Sequence, residues 1–138
     1  MSRLRAASPY LLAGLMTVTG LLHFAFPKPY DGIIPSYVPG PPRFWTYASG
    51  VLEWLCAAGV ANPRTRRTAA TATAVLFVAV FPANIEQAVH AHGAGRWVAY
   101  ARLPCQVPLV LWALQVRRAS RQRPSGAGAR SALPDRSR

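Results

Sequence analysis

The side chains able to do chemistry in this 138-residue chain are few, and they sit in apolar surroundings. Glu53 lies in the middle of a long apolar stretch, one helical turn from Ser49 and three residues before Cys56. Arg102 and Gln106 share a face at i,i+4 spacing, as do Thr19 and His23. Asn84, Glu86, Gln87 and His90 close the stretch 68–90, whose first part, as far as Ile85, carries no charge. A carboxylate, a guanidinium, an imidazole and two amides at such depth have two readings. One is a ligand or proton site, with Glu53 as proton acceptor, Arg102 as anion anchor and His23 titrating near neutrality. The other is a structural ion pair with polar partners that fixes helix register. On either reading Glu53 and Arg102 are expected to be mutual counter-charges, with Ser49, Asn84 and Gln106 completing their hydrogen bonds.

Other chemistries find little support. There is no H-E-x-x-H or C-x-x-C, and three scattered His residues make no metal site. Cys56 and Cys105 both fall within apolar stretches and read as packing cysteines. No serine nucleophile and no phosphate-cradling glycine loop is present. The net charge of +12 would suit nucleic acid, but the arginines cluster beside apolar runs rather than interleaving with aromatics. That pattern reads as a membrane topology signal and an attraction to anionic lipid.

The elements that position these residues follow from the apolar runs. Only 14% of the chain is charged and 51% is hydrophobic, with the charges segregated. Four spans are expected, at about 9–26, 44–61, 68–90 and 97–116, forming an all-α, antiparallel transmembrane four-helix bundle over 9–117. Residues 1–8 form a short N-terminus, and 118–138 read as a disordered basic tail. Arg3 and Arg5 resemble the n-region of a secretory signal, but the apolar run behind them is too long and lacks a small-x-small site, so it reads as a retained anchor. Pro9 suits a first helical turn, and Gly14 and Gly20 suit close helix approach. The connection 27–43 is too rich in proline for a continuous helix, yet Tyr30, Ile33, Ile34, Tyr37 and Val38 suggest a cap folded over the bundle. Pro104 and Pro108 predict a kinked or partly unwound last span. The arginines at both termini and at 64–67 place both ends inside. His23, Asn84, Glu53, Arg102 and Gln106 then all fall in the outer half.

The stretches GLLHFAFPKPYDGIIPSYVP, SGVLEWLCAAGV, NPRTRR, VFPANIEQA and RLPCQVPLVLWA, in that order, resemble the DoxX-like small membrane proteins. The resemblance implies a four-helix bundle in a bacterial inner membrane, with His23, Pro27, Pro35, Glu53, Asn84, Arg102 and Gln106 at family positions. It further implies an accessory subunit of a quinone-linked redox system, with a membrane-associated oxidoreductase as partner; whether the chain is an enzyme on its own stays open. Relatives tied to disulfide formation imply a dithiol, which this chain lacks. Two other functions remain open: a binder or carrier of a small or amphipathic solute, and a structural partner of other membrane proteins.

Overall fold

The structure, a computed structural model, describes residues 2–93 and 95–120. Among them every regular element is a helix. In chain order these are α1 (Ser2–Ala25), α2 (Pro27–Asp31), α3 (Pro42–Ala61), α4 (Arg66–Ala79), α5 (Phe81–His90) and α6 (Gly95–Ala119). Helix α1 packs on α3, α3 on α4, and α4 and α5 on α6, while α6 touches α1 more lightly and closes the ring. Two helical stretches, Arg3–Ala25 and Arg66–His90, are long and apolar enough to cross a membrane.

Proline sets most of the boundaries. Pro27 forces Phe26 out of the helical region, to φ −134° and ψ 64°, and ends α1. Pro27 and Pro29 then occupy the first turn of α2, where a missing N–H costs nothing. Pro42 opens α3, and Pro63 ends it at Asn62. Pro82 separates α4 from α5 at Val80, because its ring cannot sit against the carbonyl of Val78.

Two expectations about proline are corrected. Pro9 lies inside α1, which begins at Ser2, so the helix runs well beyond the expected start. Helix α6 is continuous through Pro104 and Pro108, so the last span is not unwound there. Each of these prolines removes only one hydrogen bond from a long helix held by α4 and α5. The expected tail also begins late, since α6 extends to Ala119; residues 121–138 lie outside the described residues.

The packing pattern inverts that of a water-soluble bundle. Much of the buried core is small: Ala13, Ala57, Ala70, Ala74, Ala88, Ala99 and Ala113, with Leu12, Met16, Val60, Phe77 and Val116 as the larger fillers. Large apolar side chains point outward, among them Leu11, Val18, Leu21, Leu55, Val75, Val107 and Leu111. Small residues let the helices meet closely. A Cβ on Gly20 would lie 2.6 Å from the Trp54 ring and 3.0 Å from the Gly50 carbonyl oxygen, so glycine is required where α1 crosses α3. Gly14 does not share this role, since a Cβ there would meet nothing within 4 Å.

Candidate functional site

The Gly20–Gly50 crossing brings His23 on α1 and Glu53 on α3 together near the end of the bundle that carries α2. His23 Nδ1 lies 2.8 Å from the Thr19 carbonyl oxygen and 3.5 Å from Glu53 Oε2. A carbonyl only accepts, so the Nδ1 proton is donated to Thr19. The Glu53 contact is too long and its donor is already spent. Glu53 Oε2 is buried and has no hydrogen-bond partner. Its side chain is 14% exposed, well inside the bundle.

Glu53 therefore faces His23 and not Arg102, contrary to the expected pairing. Helix α6 packs on α4 and α5, so Arg102 reaches the site from the opposite wall. Its Nη1 donates to Gln87 Oε1 at 3.0 Å, and its side chain is exposed rather than sequestered. Between the two walls lies a cavity of about 70 Å³ bordered by His23, Tyr30, Ser49, Glu53, Asn84 and Arg102. It shares Tyr30, Ile33 and Arg102 with a larger cleft of about 240 Å³ that runs out between Leu22, Phe26, Pro29 and Gln87. His23, Ser49, Glu53, Asn84 and Arg102 give the inner chamber its polar groups among apolar neighbours, while Leu22, Phe26 and Ile33 line the outer cleft.

The roof is the short helix that the sequence presented only as a cap. The Tyr30 ring stacks on His23 with centroids 3.9 Å apart. Burial pushes the Tyr30 phenol above its ordinary value, so it stays protonated and able to donate. Asp31 fastens this roof. Its Oδ2 accepts from Arg43 Nε and Nη2 at 2.8 and 2.7 Å, and its Oδ1 accepts from the buried Thr46 hydroxyl at 2.7 Å. The Arg43 hydrogen bond, followed by that from Thr46, holds the Asp31 carboxyl below its ordinary 3.8. A lowered folded value means a contribution present above the unfolded pKa and lost as pH falls through the folded one. Asp31→Asn is thus expected to lower the unfolding temperature at neutral pH, with the gap to wild type closing as pH drops below about 4 and through the lowered folded value. A gap independent of pH in thermal melts would show that the charge does not hold the roof.

On the far wall, Asn84 Nδ2 donates to Gln106 Oε1 at 3.2 Å, and Gln106 Nε2 donates to the Phe77 carbonyl beside the α4–α5 break. Both side chains are buried. Gln106 thus serves the break rather than the cavity, while Asn84 reaches both. Glu86 and His90 form an exposed pair at 3.2 Å, away from the site. Cys56 is buried as expected, but Cys105 is exposed on α6. Among the described residues no cluster of His, Cys, Asp or Glu could hold a metal ion.

The sequence reading missed Tyr30, Asp31 and Thr46. The one available signal was Asp31, the sole acid in the proline-rich connection. It missed Arg66 as well, reading it as a topology charge. The guanidinium is buried, donates from Nε to the Val60 carbonyl at 2.7 Å and from Nη2 to the Ala61 carbonyl at 2.8 Å, and lies over the Tyr10 ring at 5.1 Å. It closes the C-terminus of α3.

Residues 12–117 match a family described as "Domain of unknown function (DUF8561)". The chain belongs to that family. The DUF8561 match spans every residue of the cavity and of its roof, from His23 to Arg102, together with Gln106. No curated protein and no solved structure matches the chain.

Proposed function

We propose that this protein is a multi-pass membrane protein that holds the polar head of a small amphipathic molecule in the chamber beneath α2. The carrying observation is Glu53, a carboxylate with a buried Oε2 that has no hydrogen-bond partner, at the border of a cavity that continues into an apolar-walled cleft. An unpaired buried acceptor costs about 1–3 kcal/mol. A ligand O–H or N–H donated to Glu53 would remove that cost. The Tyr30 hydroxyl and the remaining Arg102 N–H groups supply donors to an oxygen on the same head. The cleft accommodates the apolar remainder.

The membrane reading takes α1, α3, α4 with α5, and α6 as four spans with both termini inside. It is supported by the outward-facing large apolar side chains and by the arginines gathered at the end opposite α2. In a Cys105→Ala background, Gly93→Cys is expected to react with an impermeant maleimide from outside and Thr65→Cys only after permeabilisation. Reaction of Thr65→Cys in sealed cells would reverse the orientation.

A quinone-linked role, as the DoxX-like resemblance suggests, is one form of the same reading, with a quinol hydroxyl donated to Glu53. Native mass spectrometry of the protein extracted gently from its own membranes tests occupancy. The wild type is expected to carry an adduct of small-molecule mass that Glu53→Gln loses, because the amide presents N–H where the ligand needs an acceptor. An equal adduct on both proteins removes Glu53 from the site.

A further inference from the structure

The end of the bundle away from Glu53 carries a second cleft, of about 200 Å³, where α1 and α6 meet. Arg5, Ser8 and Pro9 line it from α1, and Gln115, Val116 and Arg118 from α6. The acidic residues of the described stretch, Asp31, Glu53 and Glu86, belong to the other half. Neither Arg5 nor Arg118 forms an ion pair among the described residues.

The hydroxyl of Ser8 is held in place. Its Oγ accepts from Trp112 Nε1 at 2.8 Å, a bond that also ties α6 to α1. The Ser8 O–H remains to be donated outward. The Gln115 amide adds further donors on the facing wall. Exposed Leu4 and Leu11 continue along α1 on either side of this level. Two guanidinium groups, a fixed hydroxyl and an amide around one cleft suit a group with several acceptor oxygens and negative charge.

We propose that this cleft binds the phosphate of an anionic phospholipid headgroup, with an acyl chain lying along α1. The proposal rests on the membrane placement argued above but not on any ligand in the Glu53 chamber. Free phosphate offers the same chemistry to the arginines. A lipid is favoured because the site lies at the level where the arginine-rich ends of the helices meet the headgroups.

The test is native mass spectrometry of the full chain, purified in detergent and mixed with phosphatidylglycerol or phosphatidylcholine. Wild type is expected to retain phosphatidylglycerol about tenfold better. Arg5→Gln with Arg118→Gln should reduce the preference to about twofold, and Ser8→Ala should reduce it by a smaller factor. Arg3→Gln with Arg64→Gln removes the same charge from exposed positions outside the cleft and should leave the preference intact. Thermal melts of each variant confirm that it is folded. Equal loss in the two double variants would overturn the proposal in favour of diffuse attraction between arginines and lipid. Displacement of the lipid by millimolar inorganic phosphate would overturn the lipid assignment. Release of the protein from membranes by carbonate, with neither lipid retained, would instead overturn the membrane placement.

Discussion

Replacing Arg66 by alanine is expected to destabilise the fold by about 2–4 kcal/mol, the largest single-residue effect outside the core. The guanidinium holds the last two carbonyls of α3, those of Val60 and Ala61, and it is itself buried over Tyr10. Alanine leaves both carbonyls unpaired at a helix end that cannot rotate toward water, and removes a cation–π contact worth about 0.5–2 kcal/mol. Lysine should recover only part of the loss, because a point charge cannot reach two carbonyls as a fork does. Arg67 offers the control. It is exposed, and its alanine variant should stay within about 0.5 kcal/mol of wild type. Chemical unfolding in detergent measures all three. Equal effects at Arg66 and Arg67 would mean that the capping bonds carry no weight.

Gln106→Leu comes second, at about 1–3 kcal/mol. Pro82 breaks the helical ladder, and Gln106 donates to the Phe77 carbonyl beside that break while accepting from Asn84. Leucine fills the volume but leaves a buried carbonyl and a buried amide without partners. Asn84→Leu should cost less, since Gln106 then keeps Phe77. The double variant should be better than the sum by a coupling of about 0.5–3 kcal/mol, because the two residues share one bond. Strict additivity would show that the two amides do not act together. The consequence for function is positional: Asn84 and Ala83 on α5 border the chamber, so the break they follow sets the shape of its wall.

Helix existence was legible because proline and charge mark the ends of long apolar runs. The stops at Pro27 and Pro63 fall where the sequence places a boundary, whereas the break before Pro82 lies inside the stretch 68–90 that was expected as one span. What periodicity cannot give is the angular register between helices. Glu53 and Arg102 are both inward by cost, yet α3 meets α1 closely at Gly20 and Gly50, and this hands Glu53 to His23. Arg102 was free to stay at the rim because Gln87, one wall away, gave its guanidinium an acceptor. Gly14 and Gly20 look alike in sequence, but only Gly20 sits at the crossing. The lid over the site was hidden for another reason. A five-residue helix has no periodic signal, and its fastening, Asp31 to Thr46 and Arg43, joins segments on either side of a proline-rich turn.

The central claim is that Glu53 is kept for a ligand and not for the fold, and the unfolding temperature of Glu53→Gln in delipidating detergent tests it most directly. A carboxyl that completes a structural pair should leave His23 stranded when changed, and the variant should melt below wild type. A carboxyl whose oxygen waits for a ligand costs the empty protein stability, since an ionisable group is held away from water without a partner. The account predicts that Glu53→Gln melts at or above the wild-type temperature once lipids are stripped, and below it when the native membrane extract is restored and only the wild type is stabilised by binding. A variant that melts well below wild type in stripped detergent, with no change on adding the extract to either protein, would contradict it.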